Sequence, residues 1–258
     1  MIRRLAERLA RGRILRRTIQ VAGRRVPIHI SPDAQLKYLK PGARAFDADL
    51  LVLAEQRLNA DSVVWDVGAN VGTFSVAAAT VANRGKVFAI EADIWLAGLL
   101  RRTAAEPAFA GRIQVIPCAV AAAAGVARFV IAARGRASNA LEISGGRSQM
   151  GGARDIVLVP TLSLDTLLES LSPPSFVKID VEGAELAVLE GAKRLLREVR
   201  PSVYIEVDEA SGEAVFALFA QLGYAAHDPA TGHEVSGCIE NTLFVPLATT
   251  ADELGRSQ

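Results

Sequence analysis

The stretch Val63-Val64-Trp65-Asp66-Val67-Gly68-Ala69-Asn70-Val71-Gly72-Thr73-Phe74-Ser75-Val76-Ala77-Ala78-Ala79 decides the fold. Its first five residues form a β-branched, aromatic run of the kind that fills a buried strand. Gly68 and Gly72 then permit a tight turn, and small apolar residues from Thr73 onward read as a helix. The alternation continues outward from this unit. Strands are expected at 86–90, 113–116, 176–180, 203–206 and 242–245, and helices at 49–58, 94–105, 184–197 and 213–222. Near-continuous apolar strands alternating with helices call for a mostly parallel sheet covered on both faces, an α/β doubly wound domain. Residues 126–132 and 156–159 read as an added hairpin or edge pair. The segment 134–154 between them, rich in Gly, Ser and Arg, reads as a surface loop. Ser163 is placed to cap a helix running to Leu171, before Pro173-Pro174 stops it.

The 258 residues carry 29 Lys plus Arg against 28 Asp plus Glu, a formal charge of +1 that hides an uneven distribution. Residues 1–25 hold nine arginines against Glu7 alone, while the remainder carries 20 basic and 27 acidic side chains. Ile2, Leu5 and Leu9 recur at helical spacing among those arginines. Residues 1–17 are therefore expected as a basic helix that either rests on an anionic membrane surface or remains a solvated arm. The expected organisation is a basic arm and lead-in over 1–45, the main domain over 46–250, and a tail over 251–258. Half of the residues are hydrophobic, which excludes a disordered body. No apolar run reaches ~18 residues, and no ~7–15-residue apolar stretch follows the basic start, so neither a membrane span nor a signal peptide is expected. The location that follows is the cytoplasm, with peripheral contact at the inner membrane face if the basic helix docks there. Cys118 and Cys238 make neither a disulfide framework nor a zinc pattern, and no metal-ligand cluster is apparent. A Ser-His-Asp order and a phosphate loop are both missing, so hydrolase and kinase chemistries lack support. An acidic body with 5% aromatic residues argues against nucleic acid as a partner.

In doubly wound sheets ligands bind beyond the carboxyl ends of the strands, at the switch point. The turn from Gly68 to Gly72 lies at such an end, and the next helix offers free N–H groups to an anionic moiety. Glu91, 19 residues after Gly72, ends the second strand, where a carboxylate can accept both hydroxyls of a ribose. A nucleoside-bearing cofactor is implied. A dinucleotide fingerprint requires a glycine where Asn70 stands, and Asp66 beneath the loop would repel a pyrophosphate but suit an ammonium. S-adenosylmethionine therefore fits better than NAD. The competing readings are an NAD-type oxidoreductase and a noncatalytic binding module docked to a membrane or partner.

The run from Asp66 to Ser75 resembles the opening motif of the FkbM family of S-adenosylmethionine-dependent methyltransferases. Phe176-Val177-Lys178-Ile179-Asp180-Val181-Glu182-Gly183-Ala184-Glu185 is similar to that family's second signature, followed by Val188-Leu189-Glu190-Gly191-Ala192. Thr161-Leu162-Ser163-Leu164-Asp165 and Asn241-Thr242-Leu243-Phe244-Val245-Pro246 also look familial, so the likeness spans about residues 62–247. The resemblance implies a seven-stranded sheet with one antiparallel strand and methyl transfer to a hydroxyl of a small molecule or glycan. It places Asp66, Gly68, Asn70 and Gly72, with Ala69 between them, at the methionine part of the cofactor, and Glu91, with Ala92, at its ribose. The chain departs from the family at Ile90-Glu91-Ala92, where Phe-Glu-Pro is frequent, and at Thr103, near which an Asn is common.

Methylation of an alcohol needs positioning and removal of a proton. Asp180, Glu182 and Glu206 lie at strand ends and are the candidate acids. Lys178 alternates with Asp180, so both side chains leave one face of the strand, and the pair favours an ionised carboxylate. Catalytic roles are assigned to Asp180, Lys178 and Glu182. Capping the following helix is the competing explanation of Glu182. Ser138, Asn139 and Glu206 are expected on the acceptor side, with Arg134, Arg136, Arg147 and Arg154 in the same loop. His227 is a lesser candidate base.

Overall fold

The computed structural model describes residues 9–109, 111–133, 135–142 and 152–248. Strands β1 (Leu15–Val21) and β2 (Arg24–Ile30) form an antiparallel hairpin, followed by helix α1 (Ala48–Arg57). The deciding stretch folds as expected, with β3 (Val63–Val67) feeding α2 (Thr73–Val81). Then come β4 (Lys86–Ile90), α3 (Ile94–Ala104), β5 (Ile113–Ile116), β6 (Ala119–Val120), β7 (Gly125–Ala132), β8 (Ala140–Leu141) and β9 (Ala153–Leu162). The remainder is α4 (Leu164–Leu167), β10 (Phe176–Ile179), α5 (Glu185–Glu190), β11 (Ser202–Glu206), α6 (Gly212–Gln221), β12 (Tyr224–His227) and β13 (Asn241–Pro246).

The central sheet has seven strands in the order β12-β13-β11-β10-β3-β4-β5. β13 runs antiparallel to both of its neighbours, while the β11-β10-β3-β4-β5 pairs are parallel. Successive side chains go to opposite faces, so each strand feeds two cores. Val64, Ala89 and Leu243 meet α1, α2, α3 and the hairpin on one face, whereas Trp65, Phe88, Val203 and Phe244 meet α5 and α6 on the other. Chain order reverses between β3 and β10, which places a crevice at their carboxyl ends. A second sheet, β6-β9-β7-β8, rises beside that crevice.

Three expectations are corrected. Residues 15–17, expected at the end of the basic helix, instead open strand β1, in which alternation buries Ile19 and Val21 while Arg16, Thr18 and Gln20 face outward. The hairpin of β1 and β2 shares one continuous core with α1, α2 and α3. Ile2 and Leu5 lie outside the described residues. The long helix expected at 184–197 is two pieces, α5 and a wide helical turn over Leu195–Val199. The helix capped by Ser163 is one turn, although Ser163 does accept the Thr166 N–H at 3.1 Å. Among the described residues no helix is long and apolar enough to cross a membrane.

Candidate functional site

The turn after β3 is held by the end of β4, since the N–H groups of Gly68 and Ala69 both donate to the Ile90 carbonyl at 3.0 Å. Gly68 has φ +76, and a side chain there would overlap the Asp180 carbonyl, so this glycine lets the two loops touch. Gly72, at φ +89, leaves room for Leu100, which makes it a packing glycine between α2 and α3. Asn70 and Glu182 both take the left-handed conformation at φ 53, which costs a non-glycine residue about 1–2 kcal/mol. Such backbone outliers concentrate at functional sites, and these two both border the crevice.

Parallel register sets the charges. Lys178 on β10 lies beside Asp66 on β3 and Tyr204 on β11, all on one face of the sheet. Lys178 is buried, with Nζ 3.1 Å from Asp180 Oδ2 and 3.7 Å from Asp66 Oδ1. Burial alone would lower the ammonium, but Asp180 and Asp66 outweigh it and raise it above the ordinary lysine value. Asp66 is fully buried, and its Oδ2 accepts the Ser75 hydroxyl at 2.5 Å. Burial raises this carboxyl, against the lowering effect of Lys178 and Ser75. Its Oδ1 has no hydrogen-bond partner.

Glu91 ends β4. Its Oε2 accepts the Asn70 N–H and its Oε1 the Asp93 N–H, each at 2.7 Å. Burial pushes this carboxyl up to about 7 in spite of those two bonds. A carboxylate has about four acceptor positions, so two remain for hydroxyl donors.

The crevice has two chambers. The narrower one is walled by Ile90, Glu91, Ala92, Cys118, Phe129 and Leu141. The larger, about 370 Å³, is lined by Lys178, Tyr204, Glu206 and Ser138 among others. Gly68, Asn70, Ala137, Asp180 and Glu182 border both, so the chambers meet at the glycine turn and the end of β10. Ala69 faces the larger chamber. Asp66 and Gly72 line neither, and they support the turn from beneath.

Asn139 requires a correction. Its side chain is buried, with Oδ1 accepting the Ala132 N–H and Nδ2 donating to Asp93 Oδ2, both at 2.8 Å, and it borders the narrower chamber. It is a structural tie where an acceptor contact was expected. The loop around it is likewise anchored. Arg136 reaches Asp93 Oδ2 and, at 3.3 Å, Asp33 Oδ2, while Arg154 reaches Asp33 Oδ1 at 2.8 Å. Arg134 and Arg147 lie outside the described residues. His227 sits on the edge strand β12 and lines neither chamber. Burial pushes the Cys118 thiol up to about 11, which removes it as a nucleophile near neutral pH.

Sequence reasoning missed Asp33, Asp93, Tyr204 and Asn241. Asp93 carried a signal, an Asp just before an apolar helix, and its carboxylate caps the Trp95 and Leu96 N–H groups. Tyr204 donates to Asn241 Oδ1 at 2.8 Å across two strands whose pairing follows from register alone. Among the described residues no group of three or more His, Cys, Asp or Glu is arranged to hold a metal ion.

The glycine turn and the two vacant acceptor positions of Glu91, which both border the crevice, suit a ligand that carries a ribose. The family model of the methyltransferase FkbM domain matches residues 66–226. The chain is 31% identical over 158 residues to the hexuronic acid methyltransferase AglP of Haloferax volcanii, a match covering 59% of each chain. The chain thus spans about three-fifths of that relative's length. Among solved structures, the methyltransferase FkbM from Methylobacillus flagellatus KT superposes with a TM-score of 0.49 at 20% identity, covering 73% of this chain and 44% of that one. The T. thermophilus 16S rRNA N2 G1207 methyltransferase RsmC, solved with AdoMet and guanosine, gives 0.51 at 13% identity over 91% of this chain and 51% of that one, a likeness of fold.

Proposed function

We propose, from the premise that this chain belongs to the FkbM family of methyltransferases, that it transfers a methyl group from S-adenosylmethionine to a hydroxyl of a sugar-like acceptor. The observation that carries this reading is the meeting of two chambers at Gly68, Asn70 and Asp180, with Glu91 on one side and the Lys178–Asp180 pair between them. The relative that acts on a hexuronic acid supports a sugar-like acceptor. When bound, the cofactor supplies an electrophilic methyl group on a sulfonium.

The protein's own work is positioning and proton handling. Gly68, Ala69 and Asn70 bring backbone close to the methionine part, and Glu91, beside Ala92, receives the ribose hydroxyls. Asp66 acts from beneath the turn, held by Ser75 and Lys178. Asp180 Oδ2 is engaged by the Lys178 ammonium, which leaves Oδ1 to take the proton of the acceptor hydroxyl. Asp180 would thus hold the hydroxyl proton, leaving the acceptor oxygen free to receive the methyl group that a bound cofactor would supply. Glu182 borders both chambers, and Ser138 and Glu206 face the larger one, where they orient the acceptor. Residues 46–250 hold this machinery, and the preceding segment braces it. Contact between the basic start and an anionic membrane surface belongs to the same proposal, and loss of sedimentation with anionic vesicles on charge removal is its test.

Calorimetry with S-adenosylhomocysteine, then methyl-label transfer to a panel of glycans, tests the function. Binding together with labelling that Asp180→Asn abolishes supports it. An absence of S-adenosylhomocysteine binding overturns it.

A further inference from the structure

Asp33 lies before the residues that the family model matches, 66–226, yet it reaches the cofactor side of the crevice through one arginine. Arg136 borders the narrower chamber together with Glu91 and Asn139. Its guanidinium bridges two buried carboxylates, Asp33 Oδ2 through Nε at 3.3 Å and Asp93 Oδ2 through Nη1. The same group lies 5.0 Å from the centre of the Trp95 ring, on the first turn of α3. A planar fork of fixed donors suits such a bridge, and the point charge of a lysine does not reproduce it.

Each end of the bridge is itself fixed. Asp33 also accepts Arg154 Nη1 at 2.8 Å and the Gly12 N–H at 3.3 Å, and its own N–H donates to Ser31 Oγ at 3.0 Å. The Arg136 N–H donates to the Asp33 carbonyl at 3.0 Å, and the Ala137 N–H to the Ala34 carbonyl at 3.2 Å. A Cβ on Gly135 would stand 2.6 Å from the Ala34 carbonyl oxygen, so a glycine lets these two segments close on each other. At the other end, Asp93 Oδ1 caps α3 through the Trp95 N–H at 2.8 Å, while the Asp93 N–H holds Glu91 Oε1 at 2.7 Å. Contacts therefore run unbroken from Asp33 to the carboxylate assigned to the ribose. Charge follows the same path. Burial raises the Glu91 carboxyl, the Asp93 and Asn70 N–H groups lower it, and the charges of Asp93 and Asp66 raise it further. Asp180 and Glu182 border the same chamber. Arg136 sets a cation against Asp93, and its loss would leave that negative charge to act on Glu91 in full.

We propose that Arg136 is a positioning residue for the cofactor: clamped between Asp33 and Asp93, it fixes Glu91 and one wall of the narrower chamber, and so makes the segment around Asp33 part of the cofactor site. This rests on the methyl-transfer reading above and extends it to a residue outside the family match. Sites of this kind depend on supporting groups that hold the contacting side chains to within about 0.5 Å.

Calorimetric titration of the full chain with S-adenosylhomocysteine at pH 6, 7, 8 and 9, with urea melts alongside, tests it in wild type, Arg136→Gln, Arg136→Lys, Asp33→Asn and Arg200→Ala. Arg200 holds the carbonyls of Leu222, Gly223 and Leu247 and lines neither chamber, so it controls for lost stability alone. Arg136→Gln is expected to weaken binding at least tenfold at pH 7 and to move the pH of half-maximal affinity upward by at least about 0.5. Arg136→Lys restores the wild-type midpoint but still binds at least threefold more weakly than wild type. Asp33→Asn weakens binding at least threefold, and Arg200→Ala stays within twofold. Wild-type affinity or a wild-type pH profile in Arg136→Gln, wild-type affinity in Asp33→Asn, or an equal loss in Arg200→Ala overturns the proposal. If Arg136→Gln does not fold, Arg136→Lys and Asp33→Asn decide the question by the same thresholds. Failure of the wild-type protein to bind S-adenosylhomocysteine counts instead against the methyl-transfer reading, and it is recorded before any variant is measured.

Discussion

Glu91 offers the sharpest test of the cofactor side. Its carboxyl is pushed up to about 7 by burial, whereas the ordinary value is 4.5. Receiving ribose hydroxyls calls for the ionised form. With a pKa of about 7 the ionised fraction is about one-tenth at pH 6 and about nine-tenths at pH 8. Affinity for S-adenosylhomocysteine is therefore expected to be about tenfold higher at pH 8, a difference of about 1.4 kcal/mol. Glu91→Gln removes the titration while keeping the shape, so its affinity is expected to be low and nearly flat across this range. That variant also separates Glu91 from any titration of the ligand itself.

Stability moves in the opposite sense. The folded pKa lies above the unfolded one, so the folded state retains a proton between pH 4.5 and about 7 that the unfolded state has released. The unliganded protein is thus expected to lose stability as pH rises through that window, on the order of 3 kcal/mol from this group, with no further change from it above pH 7. Calorimetric titration at pH 6, 7 and 8 together with urea melts at the same values checks both signs. Equal affinity at pH 6 and 8, or an identical pH profile in Glu91→Gln, would refute the reasoning.

Other perturbations follow from the same geometry. Lys178→Met leaves Asp66 buried with Ser75 as its remaining side-chain hydrogen bond, and is expected to cost about 3–5 kcal/mol in urea unfolding. Adding Asp66→Asn should recover part of that loss, and strict additivity of the two changes would exclude the coupling. Gly68→Ala puts a side chain against the Asp180 carbonyl at φ +76, so S-adenosylhomocysteine binding should vanish and stability fall by at least about 2 kcal/mol. An unchanged melt would rule out the close approach. Arg136→Ala breaks its pairs with Asp33 and Asp93, both buried, and should cost about 3 kcal/mol, whereas Arg84→Ala, at an exposed pair with Asp61, should change little.

The sheet was legible because its strands are apolar runs cut off by glycine or a charged residue. Strands 86–90 and 113–116 were placed to the residue, and Gly68 announced the turn between β3 and α2. The edge strand β12 went unread because Tyr224–His227 is four residues long and weakly patterned. Glu91, Asp180 and Lys178 could be placed at the crevice because strand ends and alternation are local properties. Asn139 was misassigned because its partners, Ala132 and Asp93, belong to a long-range tie that local pattern does not encode. The arginines of the first 25 residues looked like one charged block. In the structure Arg16 pairs with Glu106, and Arg17 donates to the Tyr38 carbonyl at 3.0 Å. Charge density read along the chain says nothing of which partners the fold will supply.

The hairpin of β1 and β2 has a consequence for the order in which the protein can be made. Its buried side chains Ile19, Val21, Val26, Ile28 and Ile30 are covered by segments translated later, α2 at Thr73–Val81 and α3 at Ile94–Ala104. A two-stranded hairpin is marginal alone in water. Synthesis proceeds at about 5–20 residues per second, so roughly 4–15 s separates the emergence of the hairpin from that of its cover. Through that interval an apolar ribbon stands open on the nascent chain, with its own arginines keeping neighbouring copies apart by repulsion. The same cations that pair with Glu106 and the Tyr38 carbonyl in the finished protein then act earlier as a guard against aggregation.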